Sequence, residues 1–167
     1  MAVIYKIYDG SQLGPAAANA ADTVAKEALG TDLRGVDQST AQYGEGEFIY
    51  VPFTGTVNAG DFVQVDRFAK TAVQALSSSA VTGHVGIAVA SQVAGNYGYV
   101  QVRGINDSAN ILTGTTAGQR LYLTTTPGRV SGTVVAGKGL DGAVAKNTAA
   151  ANVGVVELIW SSFNGNG

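Results

Sequence analysis

Residues 59–65 read "AGDFVQV" and residues 117–123 read "AGQRLYL": twice the chain writes a small pair, a polar residue and an alternating run. Alternation with a period of two is the mark of a half-buried strand. The text downstream repeats as well. "GHVGIAVA" (83–90) and "GYVQVRG" (98–104) follow the first phrase, and "LDGAVAKN" (140–147) and "GVVELIW" (154–160) follow the second, at spacings of 56 to 58 residues. With "EFIYVPF" (47–53), "RLYLTTT" (120–126) and "GRVSGTVV" (128–135), this succession of short strands punctuated by Gly, Asn and Pro predicts an all-β chain, a sandwich or small barrel. It also predicts two duplicated β units, residues 47–104 and 105–160. One unit of that size is marginal alone and leaves edges open to foreign strands, whereas two packed together share a core. Gly60 and Gly118, one in each phrase, are read as structural turn residues that take a positive φ and aim the strand after them.

The first 46 residues read differently. Residues 3–8 alternate and predict a strand, closed by a turn at Asp9-Gly10. In "SQLGPAAANAADTVAKEALG" (11–30), Pro15 marks a helix start and Gly30 a stop, so a short helix is expected there. Its apolar residues are nearly all alanine, and such a helix is stable only against something else. The text that follows has no period. Residues 1–46 are therefore read as an extended N-terminal arm, 47–160 as the β domain, and 161–167 as a C-terminal tail.

Composition narrows the function. The 167 residues carry ten basic and twelve acidic side chains, with no basic run, which argues against nucleic acid as a partner. No apolar run is long enough for a membrane span, and without cysteine there is no thiol chemistry. Enzymatic tools are scarce. The one histidine, His84, stands at the lip of an apolar strand. Asp61 and Asp66 fall on opposite faces of a regular strand, poor geometry for a shared acid and base. "GTVVAGKG" (132–139) starts like a phosphate-binding loop, but Gly139 stands where Ser or Thr is needed and no helix follows. Asn106-Asp107-Ser108 matches a glycosylation sequon. Tyr97 and Tyr99 share a strand face, which raises the alternative of a glycan-stacking surface. The expectation is a protein that is not an enzyme and uses no cofactor or metal.

On residues 59–65, 83–90, 117–123 and 152–160 the chain resembles the auxiliary head proteins of tailed bacteriophages, also called capsid decoration or stabilising proteins. The resemblance spans about residues 47–160. It implies a β-barrel or β-tulip unit, assembled as a homotrimer, that binds the major capsid protein on the outside of the expanded head and stabilises it. It places the protein on the capsid surface of the virion, and in the host cytoplasm before assembly. It also implies a capsid-binding arm, for which Ala2, Val3, Ile4, Tyr5, Lys6, Ile7 and Tyr8 are the candidate residues, since an alternating segment can add a strand to a foreign sheet edge. The rival reading is a tail or fibre component that binds a host-surface glycan.

Overall fold

The computed structural model describes residues 5–8, 16–17, 21–37, 44–78 and 83–164. Among them the chain is all-β. Its strands are β1 (Tyr5–Tyr8), β2 (Ala16–Ala17), β3 (Asp32–Asp37), β4 (Glu45–Pro52), β5 (Phe62–Asp66), β6 (Thr71–Gln74), β7 (His84–Ala88), β8 (Tyr97–Ala109), β9 (Arg120–Leu123), β10 (Val130–Ser131), β11 (Gly139–Ala145) and β12 (Gly154–Asn164). Ten of them run in the order β10-β9-β11-β12-β7-β8-β4-β3-β1-β2, an open, curled sheet in the form of a half-barrel. The other two hang from β7, β5 pairing with it and β6 pairing with β5.

The ladders contain one order of strands twice. β6-β5-β7-β8-β4 is followed by β10-β9-β11-β12-β8, so that β8 closes the first set with residues 97–103 and opens the second with residues 103–109. In each set a parallel bridge joins the segment after the opening strand to the third strand: Phe53 to Ala72, and Ile111 to Val130. The turns match as well. The Gly60 N–H donates to the Ala88 carbonyl (2.8 Å) and the Ala88 N–H to the Asp61 carbonyl (2.9 Å); Gly118 and Ala145, then Ala145 and Gln119, do the same at 2.7 and 3.2 Å. Gly60 and Gly118 have φ of 85° and 82°, inside the left-handed region.

Alternation on β5 and β7 makes them a wall between two cores. Phe62, Val85 and Ile87 point into a core formed with Leu121, Leu123, Leu140, Val156 and Leu158. Val63, Val65 and Ala88 point the other way, onto Ile49, Val51, Phe53 and Val100. Each strand residue serves one side only, because side chains alternate across the pleat. A third cluster, Phe48, Tyr50 and Tyr99, lies on the outer face of β4 and β8 beneath Leu33.

The expected helix between Pro15 and Gly30 is not formed among the described residues; residues 15 and 18–20 lie outside them. Ala16 and Ala17 pair with Ile7 and Lys6 as a strand. Asp22 bridges Tyr97, its N–H donating at 3.0 Å and its carbonyl accepting at 2.7 Å, and the Gly30 N–H donates to the Tyr50 carbonyl at 2.8 Å. The physical reason is the alanine content. Ala-rich text has a high helix propensity but little apolar area to bury, and pairing with an existing sheet satisfies its backbone while laying Leu33 and Leu29 over aromatic rings. β3 continues this strap by pairing with β4 from Asp32↔Ile49 to Val36↔Glu45.

Candidate functional site

The side chains that sequence singled out are spread over the molecule. Asp61 is 2 % exposed and its carboxylate accepts from four neutral donors: the Asn58 N–H (2.8 Å), Asn58 Nδ2 (3.3 Å), Gln74 Nε2 (2.6 Å) and Asn110 Nδ2 (2.6 Å). A buried carboxylate so fully bonded is a tie between segments. Here it joins the loop before β5, strand β6 and the segment that leaves β8. Asp66 is exposed and caps its own turn, its Oδ1 accepting from the Phe68 and Ala69 N–H groups at 2.9 Å each. The two carboxylates therefore do not converge.

His84 opens β7 opposite Val65 and Ser162. It lines a shallow cleft of about 280 Å³ with Val65, Asp66, Arg67 and Gly83. Arg67 pairs with Asp32 (2.7 Å). No group of three or more metal-ligating side chains is found among the described residues.

Tyr97 and Tyr99 do share a face, but it is the covered one. Tyr99 is 3 % exposed; its ring centroid is 5.0 Å from that of Tyr50, and Tyr97 stacks on Tyr50 at 6.3 Å. The Tyr50 hydroxyl donates to Asp22 Oδ2 at 2.9 Å and accepts from the Lys26 N–H at 3.1 Å. Lys26 closes the group with an ion pair to Asp22. Burial pushes the Tyr50 hydroxyl up to about 12, against the Lys26 N–H that favours the phenolate, and the Asp22 carboxylate pushes in the same direction as burial. These rings fasten the strap, and Tyr99 offers no free surface to a sugar.

The glycine-rich 132–139 stretch passes through a turn and enters β11 at Gly139, so no helix N-terminus faces it. Asn106 of the sequon is 9 % exposed, its Nδ2 bonded to Gln101 Oε1 (2.9 Å) and its Oδ1 to the Ser108 N–H (3.0 Å). It is a strut within β8. Of the arm residues, Tyr5, Lys6, Ile7 and Tyr8 form β1, in register with β3 from Tyr5↔Asp37 to Tyr8↔Arg34. Ala2, Val3 and Ile4 lie outside the described residues.

Sequence reasoning did not single out Phe68. It is 99 % exposed at the tip of the β5–β6 hairpin. The turn beneath it is held by Asp66, by the Arg67 pair with both oxygens of Asp32 (3.0 and 2.7 Å), and by Lys70 at φ 55°, whose side chain lies alongside Gly30. A signal was available: an aromatic inside the polar turn "DRFAK", between two strands that already hold their own core residues. On the second set, Leu112, Thr115, Gln119, Ser131 and Thr133 line a cleft of about 450 Å³. A charged cleft of about 270 Å³ lies between β3, β4 and β8, where Glu47 takes Arg103 at 2.9 Å and Arg34 at 3.9 Å.

No family model, curated protein or solved structure matches the chain.

Proposed function

We propose that the protein is a structural component of a tailed-phage virion that binds the outer surface of the expanded major capsid lattice and stabilises the head. The observation that carries this reading is the strand order repeated along one chain, in the same stretches of sequence that resemble capsid decoration proteins. We read the two sets as copies of one ancestral β unit that together build a small barrel or β-tulip. The chain then works as a homotrimer whose product is contact area rather than turnover. Weak sites repeated on a lattice become a firm attachment when several engage together. The described side chains support this. Their polar groups are used for internal ties such as Asp61 and Asp22, and the most exposed large apolar group is Phe68.

In this reading the segment 2–8 is the attachment arm. Lys6 and Ile7 have neighbours on both sides, Ala17 and Ala16 on one and Val36 and Gly35 on the other. Strand donation from β1 to the capsid then requires one of these pairings to open. The test is co-sedimentation of the full chain with expanded, undecorated heads, with unexpanded shells as control. Saturable binding to expanded heads alone is expected; binding to neither shell overturns the capsid assignment. A chain lacking residues 1–10 separates the parts: normal binding by it removes the arm while leaving the capsid reading in place.

A further inference from the structure

The second set docks on the first through a turn. Residues 124–128 lie against the start of β5 and the end of β6: the Gly128 N–H donates to the Ala75 carbonyl (2.9 Å), the Phe62 N–H to the Gly128 carbonyl (2.8 Å), and the Ser77 N–H to the Thr124 carbonyl (3.0 Å). The approach is close enough that a Cβ on Gly128 would come within 2.5 Å of the Asp61 carboxyl carbon.

Fifty-eight residues earlier the same turn recurs, held at its flanks by Arg67 on Asp32 and Lys70 alongside Gly30, with its tip in solvent. Asp66 Oδ1 accepts from the Phe68 N–H at 2.9 Å, as Thr124 Oγ1 accepts from the Thr126 N–H at 3.1 Å. Lys70 has φ 55° where Gly128 has 71°. The partner surface recurs too. Gln119 and Thr133 stand 58 residues beyond Asp61 and Ala75, the two residues that meet Gly128, and with Leu112, Thr115 and Ser131 they line a cleft of about 450 Å³. One chain thus holds a filled turn-and-seat pair, and beside it a second turn whose tip, Phe68, is in solvent and a cleft at the matching position of the second set.

The repeat also serves as an internal control for Phe68. Its counterpart, Thr126, stays exposed in the seated turn, which docks through Thr124 and Gly128, so neither the turn nor that docking requires an aromatic residue there, and a Phe at this position reaches beyond the intrachain contact. A Phe at 99 % exposure adds no buried area to the fold, and with only two side-chain torsions it has little rotamer freedom to lose when it is buried against a partner. We propose that the 66–70 turn of one copy seats in the 112–119/131–133 cleft of a second copy, with Phe68 as the anchor. The contact is heterologous, head to tail, and closes into a ring or runs on according to its rotation. Lys70 in place of Gly128 prevents the close approach seen within the chain, and the Phe68 ring bridges the wider gap. The contact supplies an interface for the oligomer proposed above and depends on that reading in no other respect.

The chain has no cysteine, so engineered ones report cleanly. Full-length Ala69→Cys, which places the thiol on the same exposed turn and keeps Phe68, is mixed with full-length Thr133→Cys under mild oxidation, and each is also oxidised alone. Interchain disulfide in the mixture, at least fivefold above either variant alone, is the expected result. In parallel, sedimentation velocity of the wild type and of Phe68→Ser is expected to show association weakened about tenfold or more by the substitution, with unchanged thermal unfolding, since the side chain is solvated. An associated wild type with no cross-link in the mixture overturns this contact and leaves the oligomer standing. Equal cross-linking of Ala69→Cys alone overturns the head-to-tail geometry. A wild type that stays monomeric at all concentrations overturns the contact and the homotrimer together. Cross-linking in a chain that does not bind heads supports the contact and removes only the capsid assignment.

Discussion

At the residue scale, the two Ala-Gly phrases separate conformational need from steric need. Gly60 and Gly118 share a positive φ, yet a Cβ on Gly60 would meet the Ser108 carbonyl oxygen at 2.1 Å, whereas one on Gly118 meets nothing within 4 Å. Gly118→Ala is expected to cost about 1 kcal/mol, the strain of a left-handed alanine. Gly60→Ala should cost about 3 kcal/mol or more, because backbone must move as well. Urea denaturation of the two variants measures the difference, and equal costs would refute the close approach. Gln92 makes a second case. It is 2 % exposed, its side chain lies against Gly98, and neither amide atom has a hydrogen-bonding partner among the described residues. The residue 57 positions later, in the second set, is Ala149, which is also buried. Gln92→Met keeps the volume and removes the unpaired dipole, so a gain of about 1–2 kcal/mol is expected in the same assay.

At the element scale, the stretch from Asp22 to Gly30 that leads into β3 is tied by the Asp22–Tyr97 bridge, the Gly30–Tyr50 bond and the Tyr50 hydroxyl, with Leu29 and Leu33 packed on the aromatic cluster. The Tyr50–Asp22 bond makes that attachment sensitive to alkali. Because the hydroxyl is raised to about 12 from 10.0, the unfolded chain loses the proton first, and stability is full below pH 10 and falls between pH 10 and 12. The loss amounts to ~3 kcal/mol for two pH units. Stability measured at pH 9 and pH 11.5 in the wild type and in Tyr50→Phe should show the extra loss in the wild type alone; parallel curves would show that the hydroxyl does not titrate in this way. The same element shows where sequence reading reached its limit. The Ala-rich text supported a helix locally, and the competing sheet edge that captured Asp22 and Gly30 is built from Tyr97 and Tyr50, residues far along the chain.

At the scale of the whole molecule, the β5–β7 wall couples the two cores. Removing an inward side chain from either face leaves a cavity that both sides of the wall feel. Ile87→Ala, in the core of the second set, is expected to cost about 2–5 kcal/mol. Hydrogen exchange should then show protection falling together at Val51 on β4 and Leu158 on β12, as one cooperative unit. A fall confined to β12 would mean that the two sets unfold separately. What the sequence by itself determined is local: alternation every second residue makes strands, Gly and Asn break them, and a phrase written twice points to two similar stretches of sheet. These follow from backbone stereochemistry and the pleat, which need only near neighbours. Which side chains meet was decided only by the tertiary structure. It buried Asp61 among amides, hid Tyr99 under the strap, assigned the two faces of β5 and β7 to different cores and left Phe68 in water. Each of those outcomes depends on pairing between residues tens of positions apart, and burial is a property of the assembled sheet that no local pattern carries.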